Sequence, residues 1–213
     1  MTVRRLQTIR HGVTTANLAR ICGSPGDELA EEGRRQASDA RARLAGADLG
    51  WVISSPLARA VATASLVSGL DPRGIELHDD CRERDFGSLS GLTHEQAVAR
   101  FPQVQYLDVQ GVHYSLNPPQ GETLGELRER AERFLQTIHR LCDGEVVTVF
   151  SHGNFLQQLR AAVHGIDAYA ALDLPLEGVL NLALMRFDFA DDGGLVAHSV
   201  TQLAATDGVR GLY

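Results

Sequence analysis

The clearest structural signal in the chain is the stretch VVTVFSHG at residues 146–153, an apolar run that ends in a histidine and a glycine. Such a run is typical of a buried parallel strand. A second stretch, TIRHG at 8–12, ends another predicted strand in the same way. Because ligands bind beyond the carboxyl ends of strands in open α/β sheets, these two turns predict a single site that contains His11 and His152.

Strands and helices alternate along the chain, which predicts an α/β layered domain with a mostly parallel sheet. The clearest helix is predicted at 122–142, where one apolar stripe recurs at helical spacing. Further helices are predicted at 29–44, 56–68 and 153–164, and further strands at 51–55, 180–189 and 195–203. The segment 102–121 is the least regular part and is predicted to be a lid or binding loop. At 213 residues, the chain 1–213 is expected to be one domain.

Composition excludes several classes of protein. Apolar residues make up 44% and charged residues 22% of the chain, which is ordinary for a globular protein. We expect no membrane contact and no signal peptide, because no apolar run approaches the required length. A net charge of −7 without a basic block argues against nucleic acid as a partner. Three widely spaced cysteines suggest neither disulfides nor zinc, so we expect a cytoplasmic protein.

All 20 basic residues are arginines. An anion site in this chain must therefore use arginine, histidine or backbone N–H groups. Arg59 falls in the first turn of the helix predicted at 56–68. The helix dipole disfavours a cation there unless Arg59 and the helix N-terminus bind one anion together. With Arg10 beside His11, these groups suit a phosphoryl group, which a neutral histidine can attack.

An acid is also needed to protonate the leaving oxygen, and a carboxyl group can later serve as the base that activates water. Glu83, in the turn-rich segment CRERDFGSLSG, is a candidate. Spacing alone does not separate it from Asp79, Asp80 and Asp85.

With these residues assembled, the chain resembles the histidine phosphatase superfamily, which has the phosphoglycerate-mutase-like fold. Five ordered blocks carry the resemblance: Arg10-His11-Gly12, Ser54 to Ala60, Arg82 to Gly87, Gly121-Glu122-Thr123, and Ser151-His152-Gly153-Asn154. The resemblance implies a three-layer α/β/α sandwich, with no metal. One departure is Val13, where many members carry Glu or Gln.

The resemblance also implies roles for individual residues. His11 would be the phosphorylated nucleophile and Glu83 the proton donor, in a phosphate pocket formed with Arg10, Arg59 and His152. The expected contacts to the phosphoryl group or to the rest of the substrate are Asn17, Cys22, Gly23, Arg84, Gly153 and Asn154. No cofactor is expected, and the partners are a small phosphorylated metabolite and the product, inorganic phosphate.

Two enzyme activities share such a site, a phosphatase and a 2,3-bisphosphoglycerate-dependent phosphoglycerate mutase. The segment 88–120 holds a single arginine, Arg100, that could bind a second anionic group, and Arg84 beside Glu83 is the other candidate. So few cations favour hydrolysis. Tyr106, His113 and Tyr114 in the lid are candidates for substrate recognition. A phosphoprotein phosphatase and a non-catalytic regulatory member stay open as alternatives. The sequence does not identify the substrate or fix the oligomeric state, and a homodimer is left open.

Overall fold

A computed structural model of the protein describes residues 3–142 and 145–205. The strands in this part of the chain are β1 (Arg5–Arg10), β2 (Trp51–Ser54), β3 (Glu76–Leu77), β4 (Tyr106–Val109), β5 (Val112–Ser115), β6 (Val146–Ser151), β7 (Ala183–Phe189) and β8 (Leu195–Gln202). Six of them form one sheet in the order β3-β2-β6-β1-β7-β8, and β4 and β5 form a separate hairpin. Strands β3, β2, β6 and β1 are parallel, whereas β7 and β8 run antiparallel.

Helices cover both faces of this sheet. They are α1 (Thr15–Ala19), α2 (Glu31–Arg43), α3 (Ala58–Ser68), α4 (His94–Arg100), α5 (Leu124–Leu141) and α6 (Gly153–Val163). Ile9 and Phe150 of the sheet pack with α2 and α3 in one apolar core, while Leu6 and Val147 pack with α5 and α6 in another. The predicted three-layer α/β/α arrangement with a mostly parallel central sheet is therefore confirmed.

Strands β1 and β6 are direct neighbours, and their register sets the position of the site. Arg10 lies opposite Ser151, and the N–H of His11 donates to the carbonyl oxygen of Ser151 at 3.0 Å. Both His-Gly turns therefore leave the sheet at the same level, as their shared pattern predicted.

Helix α5 shows why the predicted amphipathic segment folds as it does. Thr123 caps the helix by accepting from the N–H of Glu126, and the Glu126 carboxylate accepts from the N–H of Thr123. Its buried face includes Leu127 and Phe134, so the stripe anchors the helix against the sheet. Leu141, at the end of the predicted stripe, is 56% exposed instead.

The prediction that 102–121 is irregular was wrong for its middle part, which forms the β4–β5 hairpin. Gln110 and Gly111 both have positive φ angles, 53° and 76°, as a two-residue hairpin turn of this hand requires. Gln-Gly is a weak signal for such a turn, and the strands have only four residues each. The sequence therefore gave little indication of this hairpin.

Helix α2 approaches the turn after β1 backbone to backbone. A Cβ atom on Gly33 would lie 2.1 Å from the carbonyl oxygen of Val13, so only glycine fits there. Val13 is 1% exposed, and its N–H donates to Oε1 of Gln36 at 3.1 Å. At this position the chain thus departs from the family pattern with a buried apolar side chain.

Among the described residues, no helix is long and apolar enough to cross a membrane. Residues 206–213 lie outside the described part of the chain.

Candidate active site

His11 lies directly after β1 and is 3% exposed. Its Nδ1 is 2.7 Å from the carbonyl oxygen of Gly12. Because a carbonyl oxygen can only accept, Nδ1 carries the proton and Nε2 of the neutral ring keeps its lone pair. The turn is fixed from two further sides, since Asn181 donates to the carbonyl oxygen of His11 and the N–H of Gly12 donates to Thr63.

Charge and burial keep His11 neutral. Burial lowers the pKa of His11 well below its ordinary value, and the charges of Arg59 and Arg10 lower that pKa further. Burial also lowers the pKa of Arg10, to about 10, so its guanidinium stays charged at neutral pH. A neutral imidazole beside two cations is suited to attack an anionic group.

The two arginines reach the site from different elements. Arg10 is the last residue of β1, and its Nη1 donates to the carbonyl oxygen of Val179 at 2.8 Å. Arg59 lies in the first turn of α3, as predicted, and its Nη1 donates to the carbonyl oxygen of Ser24 at 2.8 Å. Both side chains are almost fully buried, so their charges are weakly screened by solvent.

His152 follows β6 and packs against His11, with 5.1 Å between the ring centroids. Its Nε2 lies 2.8 Å from Oγ of Ser55. Leu57 holds the N-cap position of α3, and Ser55, two residues before it, contacts His152. Burial, followed by the charge of Arg59, lowers the pKa of His152 well below its usual value. Gly153 and Asn154 form the first turn of α6 beside it, both buried.

Glu83 reaches the site from the loop before α4. Its Oε1 accepts from the N–H of Arg84 at 2.9 Å and from the N–H of Phe155 at 3.2 Å. The second of these donors belongs to the first turn of α6, directly after His152. The carboxyl group is therefore held by main-chain donors on the same side of the molecule as the two histidines.

Four of these groups, Arg10, His11, Arg59 and Glu83, line one small pocket, which we call the inner pocket, whereas His152, Gly153 and Asn154 are buried behind it and are not lining residues. Its lining residues are Arg10, His11, Thr14, Asn17, Ile21, Gly23, Asp27, Arg59, Glu83 and Phe86. Asn17 accepts from the N–H of Thr14 through Oδ1, which leaves Nδ2 as a donor for the pocket. Gly23 lies between Asp27 and Arg59, where its lack of a side chain keeps the pocket open.

The structure does not bring Cys22 into the inner pocket. Its side chain packs with Phe86, Leu89, Ala97 and Val104 in an apolar cluster, and its N–H donates to the carbonyl oxygen of Leu92. Burial raises the pKa of the thiol to about 12, so Cys22 stays neutral. The predicted substrate contact fails because neighbouring positions on an extended segment face opposite sides.

Arg84 is also turned away from the inner pocket. Its Nε donates to the carbonyl oxygen of Glu122 at 2.7 Å, and its Nη2 donates to that of Ser115 at 2.8 Å. The side chain thus joins the loop that carries Glu83 to the hairpin and to the start of α5. This geometry supports a structural role beside the inner pocket. Since Arg84 also lines a larger opening that adjoins this pocket, its contact with the rest of the substrate stays a prediction.

A larger opening, the outer cleft, adjoins the inner pocket at Gly23, Arg59, Glu83 and Phe86 and has a volume of about 670 Å³. Beyond those shared residues, the charged groups of the outer cleft are Asp79, Arg82, Arg84, Asp85, Glu122, Glu126, Glu129, Arg130 and Arg133. From the sequence, Arg100 and Arg84 were the only cations considered for a second anionic group. The prediction therefore missed Arg82, Arg130 and Arg133, which the Glu83 loop and α5 bring to this cleft.

The predicted recognition residues of the lid do not line the outer cleft. Tyr114 is fully buried, and its hydroxyl donates to Oε1 of Gln157 at 3.2 Å. His113 stacks on His94 with 4.0 Å between centroids, and Tyr106 meets the edge of His94. These aromatic side chains attach the hairpin to α4 and to α6, so they serve packing.

Two residues that the sequence analysis did not single out shape the site. Asp27 accepts from the N–H and the hydroxyl of Ser24 at 2.7 and 2.8 Å, and so fixes the loop whose carbonyl oxygen holds Arg59. Arg130 contacts the loop that carries Glu83. Neither had a local sequence signal, because both act on main-chain groups.

The fold and the paired histidines define a class of protein, and comparison with known families gives the same answer. The model of the histidine phosphatase superfamily (branch 1) matches residues 6–201. The chain therefore belongs to the histidine phosphatase superfamily, and the resemblance carried by the five blocks is confirmed.

Individual relatives bear different names. The uncharacterized phosphatase PhoE of Bacillus subtilis is 28% identical over 86% of this chain and 88% of its own. A 2,3-bisphosphoglycerate-dependent phosphoglycerate mutase of Brucella melitensis is 34% identical over 76% of this chain and 82% of its own. The crystal structure of the alpha-ribazole phosphatase from Shigella flexneri shares the fold, with a TM-score of 0.77, 22% identity, and coverage of 96% and 100% of the two chains.

Proposed function

We propose that this protein is a phosphatase that hydrolyses small phosphate monoesters through a phosphohistidine on His11. The observation that carries the proposal is the Nδ1 contact of His11 with Gly12, which leaves Nε2 unprotonated between two buried arginines. The volume of the outer cleft, about 670 Å³, is within the range of small-molecule sites. Relatives named phosphatases support the same class of reaction.

The reaction has two steps. In the first, Nε2 of His11 attacks phosphorus, the bond to the leaving oxygen breaks, and Glu83 gives its proton to that oxygen. In the second, the Glu83 carboxylate takes a proton from water, whose oxygen attacks phosphorus and breaks the P–N bond. Arg10, Arg59 and His152 bind the phosphoryl oxygens and stabilise the charge on them. The products are an alcohol, inorganic phosphate and neutral His11.

A mutase is the second candidate, because relatives with 34% identity are named phosphoglycerate mutases. A mutase must hold a bisphosphorylated intermediate, so its outer cleft needs cations that are not already paired. Here Arg130 is paired with Glu122, Arg82 lies 3.4 Å from Asp79, and Arg84 donates to two main-chain carbonyls. Beyond Arg59, Arg133 is then the remaining arginine of the cleft. The further carboxylates Asp85, Glu126 and Glu129 oppose a second anionic group, which favours hydrolysis.

The test is phosphate release from a panel of monoesters in the presence of EDTA, with wild type beside His11→Ala. We expect kcat/KM to fall by at least about 100-fold in His11→Ala, because the nucleophile is lost. His164→Ala, which removes an exposed histidine outside both the pocket and the cleft, serves as the matched control and keeps full activity.

A phosphoenzyme trapped in alkaline denaturant should carry its phosphate on the peptide of His11 in a mass spectrum. Bisphosphate-dependent interconversion of 2- and 3-phosphoglycerate without net release would identify a mutase instead. Turnover of a phosphoprotein but of no small ester would contradict the small-molecule assignment. Full activity of His11→Ala would contradict the mechanism itself.

A further inference from the structure

Arg130 of α5 uses every N–H of its guanidinium group within the protein. Nε and Nη2 donate to the two carboxylate oxygens of Glu122 at 2.8 and 2.6 Å. Nη1 donates to the carbonyl oxygens of Asp80 and Arg82, both at 2.8 Å, and Nη2 also donates to that of Glu83 at 3.2 Å. Because five donors meet five acceptors, no donor is left to bind a substrate.

The three carbonyl groups belong to one short loop, and that loop carries Glu83. The loop has no strand partner at this point and contains only a single 3-10 turn at Asp79–Cys81. Without sheet hydrogen bonds, its backbone depends on side chains for its position. Arg130 supplies these contacts from a helix that is anchored in the core by Leu127 and Phe134.

Arg130 also touches the other side of Glu83. Its guanidinium lies over the ring of Phe155, 5.4 Å from the ring centroid. The N–H of Phe155 donates to Oε1 of Glu83. One side chain thus contacts both the backbone that carries the acid and the residue whose N–H holds its carboxylate.

From this arrangement we infer that Arg130 is a positioning residue for proton transfer by Glu83. The inference rests on the proposed function, in which Glu83 protonates the leaving oxygen. Proton transfer requires the carboxyl group within hydrogen-bond reach of that oxygen, and small displacements reduce its rate. Lysine cannot replace Arg130, because a single ammonium group cannot reach three carbonyls and both oxygens of a carboxylate.

The test compares two substrates with different needs for an acid. An alkyl phosphate such as glycerol 2-phosphate has a poor leaving group that must be protonated. The leaving group of p-nitrophenyl phosphate, p-nitrophenolate, is a stable anion that departs without a proton. The ratio of their kcat/KM values reports how well the acid works. We expect Arg130→Lys to lower kcat/KM for the alkyl ester by about 10- to 100-fold and for the aryl ester by less than about 3-fold.

A double-mutant cycle with Glu83→Gln separates positioning from general damage. If Arg130 acts through Glu83, the double variant with Glu83→Gln and Arg130→Lys should have the same ratio of the two kcat/KM values as Glu83→Gln alone. The matched control is Arg128→Lys on the same helix, because Arg128 is also 13% exposed and also bonds a carboxylate and a carbonyl, those of Glu132 and Ile166. It should lower the melting temperature without changing the ratio.

The possible failures can be told apart. An unchanged ratio in Glu83→Gln would overturn the acid assignment and thus the proposed mechanism. A changed ratio in Glu83→Gln but not in Arg130→Lys would overturn only the positioning role. If Arg130→Lys does not fold, Glu122→Gln takes its place, since it weakens the anchor of Arg130 and keeps the three carbonyl contacts. It should shift the ratio in the same direction by a smaller factor, and an unchanged ratio there would overturn the inference.

Discussion

The inner pocket and the outer cleft differ most clearly between Arg10 and Arg59 on one side and Arg82 on the other, whereas Arg84 of the outer cleft is as buried as the first two. In the inner pocket, Arg10 and Arg59 are at most 4% exposed, and each donates to a main-chain carbonyl. In the outer cleft, the side chain of Arg82 is 45% exposed and lies beside the more exposed carboxylate of Asp79. Buried charges act at nearly full strength, whereas exposed pairs are screened by water and salt. Under the proposed function, we therefore expect phosphoryl chemistry in the inner pocket and selection among leaving groups in the outer cleft.

The largest expected difference comes from removing one arginine in each region. Arg59→Ala should lower kcat/KM for phenyl phosphate by at least about 100-fold, because charge on the phosphoryl oxygens loses a buried partner. Arg82→Ala should lower it by less than about 5-fold, because an exposed and paired charge contributes little. The measurement is steady-state kinetics, with melting temperatures to verify that both variants fold. Equal losses in the two variants would remove the distinction between the regions.

A smaller effect is expected from the carboxylates of the outer cleft. Asp85→Asn and Glu129→Gln should each raise kcat/KM for 3-phosphoglycerate by about 2- to 5-fold, because each removes a charge that repels the leaving group. Phenyl phosphate, whose leaving group lacks the carboxylate, should be unaffected.

The control for these variants is Asp39→Asn, which neutralises a carboxylate of α2 outside the cleft. High salt should abolish the gain, since it screens exposed charges. A gain that persists in high salt would show that the substitutions act through shape and not through charge.

The smallest expected effect is that the imidazole of His11 does not titrate near neutral pH. Since the pKa of His11 is lowered, the ring should stay neutral as the pH falls from about 7 to 6, where an ordinary histidine gains a proton. Long-range 1H–15N NMR should show a protonated Nδ1 and an unprotonated Nε2 throughout. His164 lies outside the pocket and gives a second signal in the same spectra, although burial and the charge of Arg160 lower its pKa as well. Protonation of His11 near pH 6.5 would contradict its burial between two cations.

The sequence predicted the inner pocket better than the outer cleft, for a physical reason. His11 and His152 follow strands, and strand ends in a parallel sheet meet at one edge, so a local pattern fixed their proximity. The sequence equally predicted Arg59 as a residue of the anion site, because a cation in the first turn of a helix is unusual without an anion. Strong local rules therefore sufficed for these three residues.

No such local rule indicated the cleft arginines Arg82, Arg130 and Arg133. The last two lie on α5, and only the docking of that helix against the Glu83 loop brings them to the cleft. Three of the five acceptors of Arg130 are main-chain carbonyls, which every residue type carries. Cys22 is the converse case, because it was expected to contact the substrate, yet its side chain packs in the apolar cluster and does not line the inner pocket.

The position of β1 in the sheet has a consequence for how the protein is made. Strand β1 leaves the ribosome before its two neighbours in the sheet, β6 and β7, which end at residues 151 and 189. The segment around His11 therefore has no partner on one side until β6 has been translated, and none on the other until β7 has followed. Pairings over such sequence distances form slowly and expose strand edges meanwhile. A chain truncated before residue 183 would lack β7, so it would leave one edge of β1 open beside His11.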